Sequence, residues 1–193
     1  MSSKRIFSGT VASYLHTTVS LLSNLVLVPM YLLYFSKEEY GLWLVVLSVV
    51  SYLGFSNLGI TQSVANFVAS TNAKNDYDGI KSIVATGFWL YVSIIILVMM
   101  MIIGVVLVVP VEDFLNVPES LKDVVIPVLV ISSAFFLLKL PLTLFNVTLR
   151  SLNLIYKEQL FGLLFTVIQF IGVIAVLWSD VGIVGLSVVY GVT

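Results

Sequence analysis

The chain has 193 residues, of which 60% are hydrophobic and 10% are charged, and its mean hydropathy is +1.12. Soluble domains carry about 45–50% apolar and about 25% charged residues, so this composition excludes an ordinary soluble fold. The net charge of -1 lacks the basic excess that nucleic-acid binding needs. The composition therefore predicts a lipid bilayer, and no nucleic acid, as the partner of most of the surface.

Long apolar runs separated by polar turns divide the chain into membrane spans, because a helix needs about 20 apolar residues to cross the hydrocarbon. Five complete runs and one partial run follow one another, the last after a turn at Ser179 and Asp180: about 6–35, 40–70, 80–109, 124–149, 160–178 and 181–193. Between the third and fourth runs, residues 111–123 predict a short interfacial segment. We expect an all-α integral membrane protein with five complete transmembrane helices and a truncated sixth, within a larger protein.

Basic residues in the short loops predict the orientation of the chain. With the N-terminus in the cytoplasm, more of them lie inside than outside, as the positive-inside rule requires. The inner residues are Lys4, Arg5, Lys74, Lys81, Arg150 and Lys157, and the outer residues are Lys37 and Lys122. A multi-pass protein with a cytoplasmic N-terminus is expected.

Lys139 lies about fifteen residues into the fourth run, where a lysine costs about 2.5–3.5 kcal/mol to insert. At 100° per residue, Thr143, Asn146 and Arg150 share a helix face with it. Two cations attract phosphate, and hydroxyl and amide groups bond sugars, so this face predicts a path for an anionic headgroup. The alternatives are that Lys139 snorkels or pairs with a carboxylate on another helix, which would belong to a further part of the protein, and that Arg150 anchors the cytoplasmic end of the helix.

Polar residues also recur at helical spacing in the first and second runs. His16 and Asn24 share a face in the first run, and Gln62 and Asn66 share one in the second. We expect these faces to look inward and to add substrate contacts. For His16, a hydrogen bond between helices and a proton relay are the two alternatives.

Proline and aromatic residues mark further features of the runs. Pro29 and Pro141 each remove a helical hydrogen bond, which predicts a kink that acts as a hinge or a packing feature. Aromatic residues around the first outer turn, including Tyr31 and Trp43, predict a belt at the membrane interface.

The sequence lacks the usual constellations of catalysis. It has no Ser/His/Asp set, no paired carboxylates within a run, no metal-ligand spacing and no phosphate-binding glycine loop. We therefore expect neither an enzyme, nor a metal site, nor a cofactor.

Three short stretches carry a family resemblance. They are Asn24 and Pro29 in the opening run, Lys37-Glu38-Glu39-Tyr40-Gly41-Leu42-Trp43 at the first turn, and Leu58-Gly59-Ile60 before a helix end with scattered polar residues. With the order and length of the spans, they resemble the N-terminal part of polysaccharide flippases. These are exporters of lipid-linked oligosaccharides of the O-antigen and capsule type, within the multidrug/oligosaccharidyl-lipid/polysaccharide superfamily.

The resemblance implies that residues 1–193 form an incomplete N-terminal lobe of a two-lobed transporter in a bacterial inner membrane. Its substrate would be an undecaprenyl-diphosphate-linked oligosaccharide, and its further partner would be the missing C-terminal lobe. One alternative is a multidrug exporter of the same superfamily, although its cationic substrates would require buried carboxylates. A non-transporting membrane assembly subunit is the other alternative, and a membrane glycosyltransferase or ligase is disfavoured by the short outer loops.

Overall fold

The computed structural model describes residues 3–152, 154–179 and 181–192, and their regular structure is entirely helical. Five of the helical segments are long and apolar enough to span a membrane. The prediction of an all-α membrane protein is therefore confirmed. Asp180, in the turn expected before the last run, lies outside the described residues, as does Thr193.

Eight α-helices follow one another in the described part of the chain. They are α1 (Ser3–Tyr34), α2 (Lys37–Tyr52), α3 (Ile60–Asn72), α4 (Tyr77–Val108), α5 (Val111–Phe114), α6 (Lys122–Ser151), α7 (Ile155–Trp178) and α8 (Gly182–Val192). Two short 3₁₀ helices, Leu53–Asn57 and Glu119–Leu121, precede α3 and α6. The segment 111–123 thus forms short helical turns and the start of α6, and its position at the membrane interface stays a prediction.

The second apolar run is broken, and the prediction of one continuous span over 40–70 is wrong. After α2 the backbone tightens into the 3₁₀ helix, and Leu58 (φ 46°) and Gly59 (φ 75°) then adopt the left-handed conformation. Two successive left-handed residues cannot continue a right-handed helix. Asn57 Oδ1 accepts the backbone N–H of Thr61 at 3.2 Å, which satisfies one of the free donors at the start of α3.

The fifth predicted span begins too late, because α7 already begins at Ile155 and not near residue 160. Lys157, which was predicted to lie in an inner loop, and the neighbouring Glu158 lie in its first turns. An acidic side chain is favourable there, since the N-terminus of a helix carries a partial positive charge.

Helix α6 lies at the centre of the bundle and contacts α2, α3, α4, α7 and α8, whereas α1 packs mainly against α7. One buried apolar cluster joins α1, α2, α6, α7 and α8, and a second joins α3, α4 and α6. Because lipid is as apolar as these side chains, association of the helices depends on close packing and on hydrogen bonds between helices.

Two aromatic residues of the predicted interface belt are buried in the first cluster. Tyr31 is 4% exposed and Trp43 is 2% exposed. The belt interpretation is therefore wrong for both, because their rings pack against α8 and other helices of the bundle.

The predicted hinge prolines lie within continuous helices. Helix α1 continues through Pro29, and helix α6 continues through Pro141. Helix α6 also continues through Pro127, for which no hinge was predicted. The function of Pro29 and Pro141 as hinges stays a prediction.

Candidate functional site

Lys139 lies near the middle of α6, and its ammonium donates a hydrogen bond to the backbone carbonyl of Tyr190 in α8. The side chain is half-buried, and it forms no ion pair with any of the described residues. An ammonium has three donors, so one carbonyl leaves two of them for a further acceptor. The positive charge is thus held inside the bundle without a neutralising carboxylate in the described part of the chain.

A cavity of about 130 Å³ lies beside Lys139, between α2, α6 and α8. Ser132 and Ser187 also line it. Ser132 Oγ is buried and has no hydrogen-bond partner among the described residues. Because buried hydroxyls normally have a partner, this one marks a polar position that can bond an incoming group.

The size of this cavity restricts what can enter it. Ligand pockets commonly measure about 300–1,000 Å³. At about 130 Å³ the cavity is smaller than such pockets, and it can receive one small charged group, such as a phosphate.

Two contacts of the Tyr190 side chain, one hydrogen bond and one ring contact, position the residue whose carbonyl Lys139 binds. The hydroxyls of Tyr31 and Tyr190 lie 2.9 Å apart, which ties α1 to α8. The rings of Trp43 and Tyr190 meet edge to face with their centres 5.3 Å apart, which ties α2 to α8. Besides its bond to Lys139 of α6, helix α8 is therefore held in place by contacts from α1 and α2.

Thr143 belongs to a polar network at the α2–α3 break. Its Oγ1 donates to the carbonyl of Leu140 and lies 3.4 Å from Thr61 Oγ1. Thr61 in turn bonds Asn57 Oδ1 at 3.0 Å, and Tyr91 donates to the same oxygen at 2.8 Å. The contacts of Thr143 thus stabilise the interrupted helix, and its predicted contact with substrate stays a prediction.

Arg150 is engaged in a bidentate ion pair with Glu158. Its Nε lies 3.0 Å from Glu158 Oε2, and its Nη2 bonds Oε1. The carboxylate side chain is 10% exposed, whereas the arginine is 62% exposed. This pair joins the end of α6 to the start of α7 and neutralises the charge that was expected to attract a headgroup. Substrate binding by Arg150 stays a prediction.

The four remaining amide residues of the predicted site have exposed side chains. These are Asn24, Gln62, Asn66 and Asn146. Two of their hydrogen bonds stay within one helix: Asn24 donates to the carbonyl of Ser20, and Gln62 donates to Asn66. Among the described residues no hydrogen bond joins any of the four to Lys139, so the structure does not assemble them into one site.

His16 lies between α1 and α7 and has a partner for each ring nitrogen. Nδ1 lies 3.0 Å from Gln159 Oε1, and Nε2 lies 3.3 Å from Thr166 Oγ1. The contact agrees with the first of the two alternatives for His16, a hydrogen bond between helices. Its role in substrate binding stays a prediction.

The close approach of His16 to Gly162 makes this contact testable. A Cβ at position 162 would lie 2.8 Å from His16 Cε1, so Gly162→Ala displaces the imidazole from its partners. Gly104→Ala is the matched control, because no atom lies within 4 Å of a Cβ there and alanine favours a helix. We expect Gly162→Ala to lower the thermal midpoint in detergent and Gly104→Ala to raise it, by roughly 2–4 °C each. Equal shifts of the two midpoints in the same direction would show that the hydrogen bonds of His16 do not stabilise the bundle.

The residues that hold these polar side chains were mostly not predicted from the sequence. They are Tyr91, Glu158, Gln159 and Tyr190. Glu158 carries a usable signal, since an acidic residue just before an apolar run is typical of a helix start. The other three act across helices, and the spacing of residues along one helix does not show which helices are neighbours.

The fold defines a multi-pass, all-α membrane protein with a lysine inside its bundle that forms no ion pair with any residue the structure describes. No group of three His, Cys, Asp or Glu residues suited to a metal ion occurs in the described part of the chain. No protein-family model, no curated protein and no solved structure matches this chain.

Proposed function

We propose that the protein moves an anionic lipid-linked oligosaccharide across a bacterial inner membrane, as one lobe of a flippase. The substrate is an undecaprenyl-diphosphate-linked repeat unit for surface polysaccharide. The observation that carries the proposal is Lys139, whose charge has no carboxylate partner among the described residues and lies beside a cavity of phosphate size.

The cost of a buried cation supports a ligand of opposite charge. A lysine in the middle of a span is retained against about 2.5–3.5 kcal/mol of insertion cost. Its bond to Tyr190 recovers part of that cost, and a phosphate oxygen would accept the remaining donors. The orphan hydroxyl of Ser132 provides a second donor at the same cavity. The sugar would then lie toward the exposed polar side chains of the bundle, such as Asn146.

The position of the carboxylates favours an anionic substrate over the organic cations of a multidrug exporter. In the described long helices the acidic residues lie in the first turns, as Glu38, Glu39, Asp78, Asp123 and Glu158 do. Glu158, which is nearly buried, is neutralised by Arg150. At the centre of the bundle a cation would therefore meet Lys139 and, among the residues that the structure describes, no free carboxylate.

A second candidate is a membrane assembly subunit that transports nothing. It is favoured by the number of polar side chains that bond one another between helices, including His16 with Gln159 and Thr61 with Tyr91. Such bonds hold a bundle together without any substrate.

Complementation distinguishes the two candidates. The gene, expressed at its natural length in a strain whose polysaccharide flippase is deleted, is expected to restore polymer at the cell surface. The readout is the surface polysaccharide, with the amount of membrane-inserted protein as the control. Normal insertion with no surface polymer, tested across hosts with different repeat units, would contradict the flippase proposal.

A further inference from the structure

A groove of about 830 Å³ lies between the cytoplasm-assigned end of α6 and the first half of α7. Its walls are almost entirely apolar and include Phe145 and Leu149 of α6 with Phe161 and Leu164 of α7. The rings of Phe145 and Phe161 meet edge to face with their centres 6.2 Å apart. In a bilayer, an apolar groove that opens sideways is filled by hydrocarbon, because water finds no hydrogen-bond partner in it.

One end of the groove is polar and positively charged. Tyr156 and Lys157 line it there, and Lys157 is exposed and forms no ion pair with any described residue. The other charged groups at this end, Arg150 and Glu158, neutralise each other. Among the side chains that the structure describes at this mouth, Lys157 is therefore the cation without a carboxylate partner.

The mouth lies beside the second turn of α1. Gly9 of α1 lies against Ile155, since a Cβ at position 9 would be 3.7 Å from the Ile155 side chain. Basic pockets between transmembrane helices at a membrane face bind anionic lipid headgroups. Lys157 lies in the first turn of the spanning helix α7, and in a bilayer the end of such a helix lies among the headgroups, with the apolar groove extending from it into the membrane.

The length of the groove selects the kind of lipid. Along α7 it extends from Tyr156 to Val167, which at 1.5 Å per residue is about 17 Å. One leaflet of a bilayer has about 15 Å of hydrocarbon, half of the full thickness of about 30 Å. The groove therefore matches an acyl chain that ends at the midplane, and it is too short for the much longer tail of a polyprenyl carrier.

We propose that this α6–α7 groove binds an anionic phospholipid of the surrounding bilayer. The acyl chain lies between Phe145 and Leu164, and the headgroup phosphate bonds Lys157 and the hydroxyl of Tyr156. The bound lipid fills the gap between the central helix and α7, so it stabilises the bundle. The proposal does not depend on the substrate of the protein.

The test compares lipid binding by the purified full-length protein in nanodiscs of phosphatidylcholine. Labelled phosphatidylglycerol is the probe, and the retained lipid is counted by native mass spectrometry. We expect Lys157→Gln to weaken retention about fivefold, the effect of one basic residue near an anionic headgroup. Leu164→Trp, at an exposed position of the groove wall, is expected to weaken it by blocking the acyl chain.

Lys74→Gln is the matched control, because Lys74 is an exposed lysine in the loop between α3 and α4, away from the groove. It is expected to retain the lipid as the unaltered protein does. Equal retention by Lys157→Gln and Lys74→Gln would overturn the proposal, and so would equal retention of phosphatidylcholine. Displacement of phosphatidylglycerol by equimolar undecaprenyl phosphate would overturn the phospholipid assignment and show a polyprenyl occupant.

Discussion

Replacing Lys139 is expected to have the largest effect on transport of any single substitution in this protein. We expect Lys139→Ala to reduce surface polysaccharide by about tenfold to a hundredfold, which corresponds to the loss of a charge-assisted hydrogen bond of about 1.5–3 kcal/mol. Lys139→Glu should abolish export, because a carboxylate at the cavity repels a phosphate. Lys139→Arg keeps the charge and is expected to retain part of the activity.

The control for this experiment is Lys122→Ala, the same substitution in the first turn of the same helix. Lys122 bonds Glu119 at 2.9 Å and lies 3.5 Å from Asp113, away from the cavity. An ion pair of this exposure contributes about 0–1 kcal/mol, so export should stay near normal. Normal export by both Lys139→Ala and Lys139→Glu, at equal amounts of inserted protein, would remove Lys139 from the mechanism.

Replacing Asn57 is expected to have the largest effect on stability among the polar residues of the bundle. Its Oδ1 accepts hydrogen bonds from the backbone and hydroxyl of Thr61 and from the buried hydroxyl of Tyr91. Asn57→Ala leaves these donors without their shared acceptor at the break between α2 and α3. The expected loss is about 2 kcal/mol, which lowers the thermal midpoint by roughly 4–8 °C.

Asn66→Ala is the matched control for Asn57, because Asn66 is exposed on α3 and bonds only Gln62 among the described residues. Its midpoint is expected to change by less than about 2 °C, as is usual for an exposed side chain. Thermal unfolding of both variants in the same detergent provides the measurement. A midpoint for Asn57→Ala equal to that of Asn66→Ala would show that the network does not stabilise the break.

The long helices could be predicted from the sequence because hydrocarbon thickness imposes a minimum length of apolar chain. The runs that became α1, α4 and α6 differ from their predicted bounds by a few residues. The break at Leu58 and Gly59 was harder to predict, since a continuous apolar composition hides a change of backbone conformation. Gly59 was a signal for it, but a glycine within a membrane helix is common and does not by itself end the helix.

The start of α2 shows a local signal that the sequence does carry. Ser36 accepts the N–H of Glu39 at 3.1 Å, and the Glu39 carboxylate accepts the N–H of Ser36 at 2.8 Å. This reciprocal pair is the capping box, and the spacing Ser-x-x-Glu predicts it. Both residues of the capping box lie within one helical turn, so it can be predicted without knowing which helices are neighbours.

The candidate site could be predicted in part. The position of Lys139 in an apolar run identified it as unusual, and the structure adds its bond to Tyr190 and the cavity with Ser132. The polar face of α6 was expected to act as one path, yet its members contact different helices. Thr143 meets α3, and Arg150 meets α7. Helical spacing shows which side chains share a face of α6. It does not show that several neighbouring helices contact that face, each at different residues.

Tyr31 shows the same limit for aromatic residues. Near the end of an apolar run, a tyrosine suits either the membrane interface or a hydrogen bond inside the bundle. Its burial against Tyr190 depends on α8 returning beside α1, 159 residues later in the chain. A pattern within the first run contains no information about that return.

Leaflet-resolved transport by the purified full-length protein in proteoliposomes tests the central proposal most directly. A fluorescent undecaprenyl-diphosphate sugar is placed in both leaflets, and a membrane-impermeant quencher reports movement between them. We predict that the unaltered protein accelerates exchange over protein-free vesicles, that Lys122→Ala does so equally, and that Lys139→Glu does not. Exchange by Lys139→Glu at the rate of the unaltered protein, or no acceleration by the unaltered protein, would contradict the proposal.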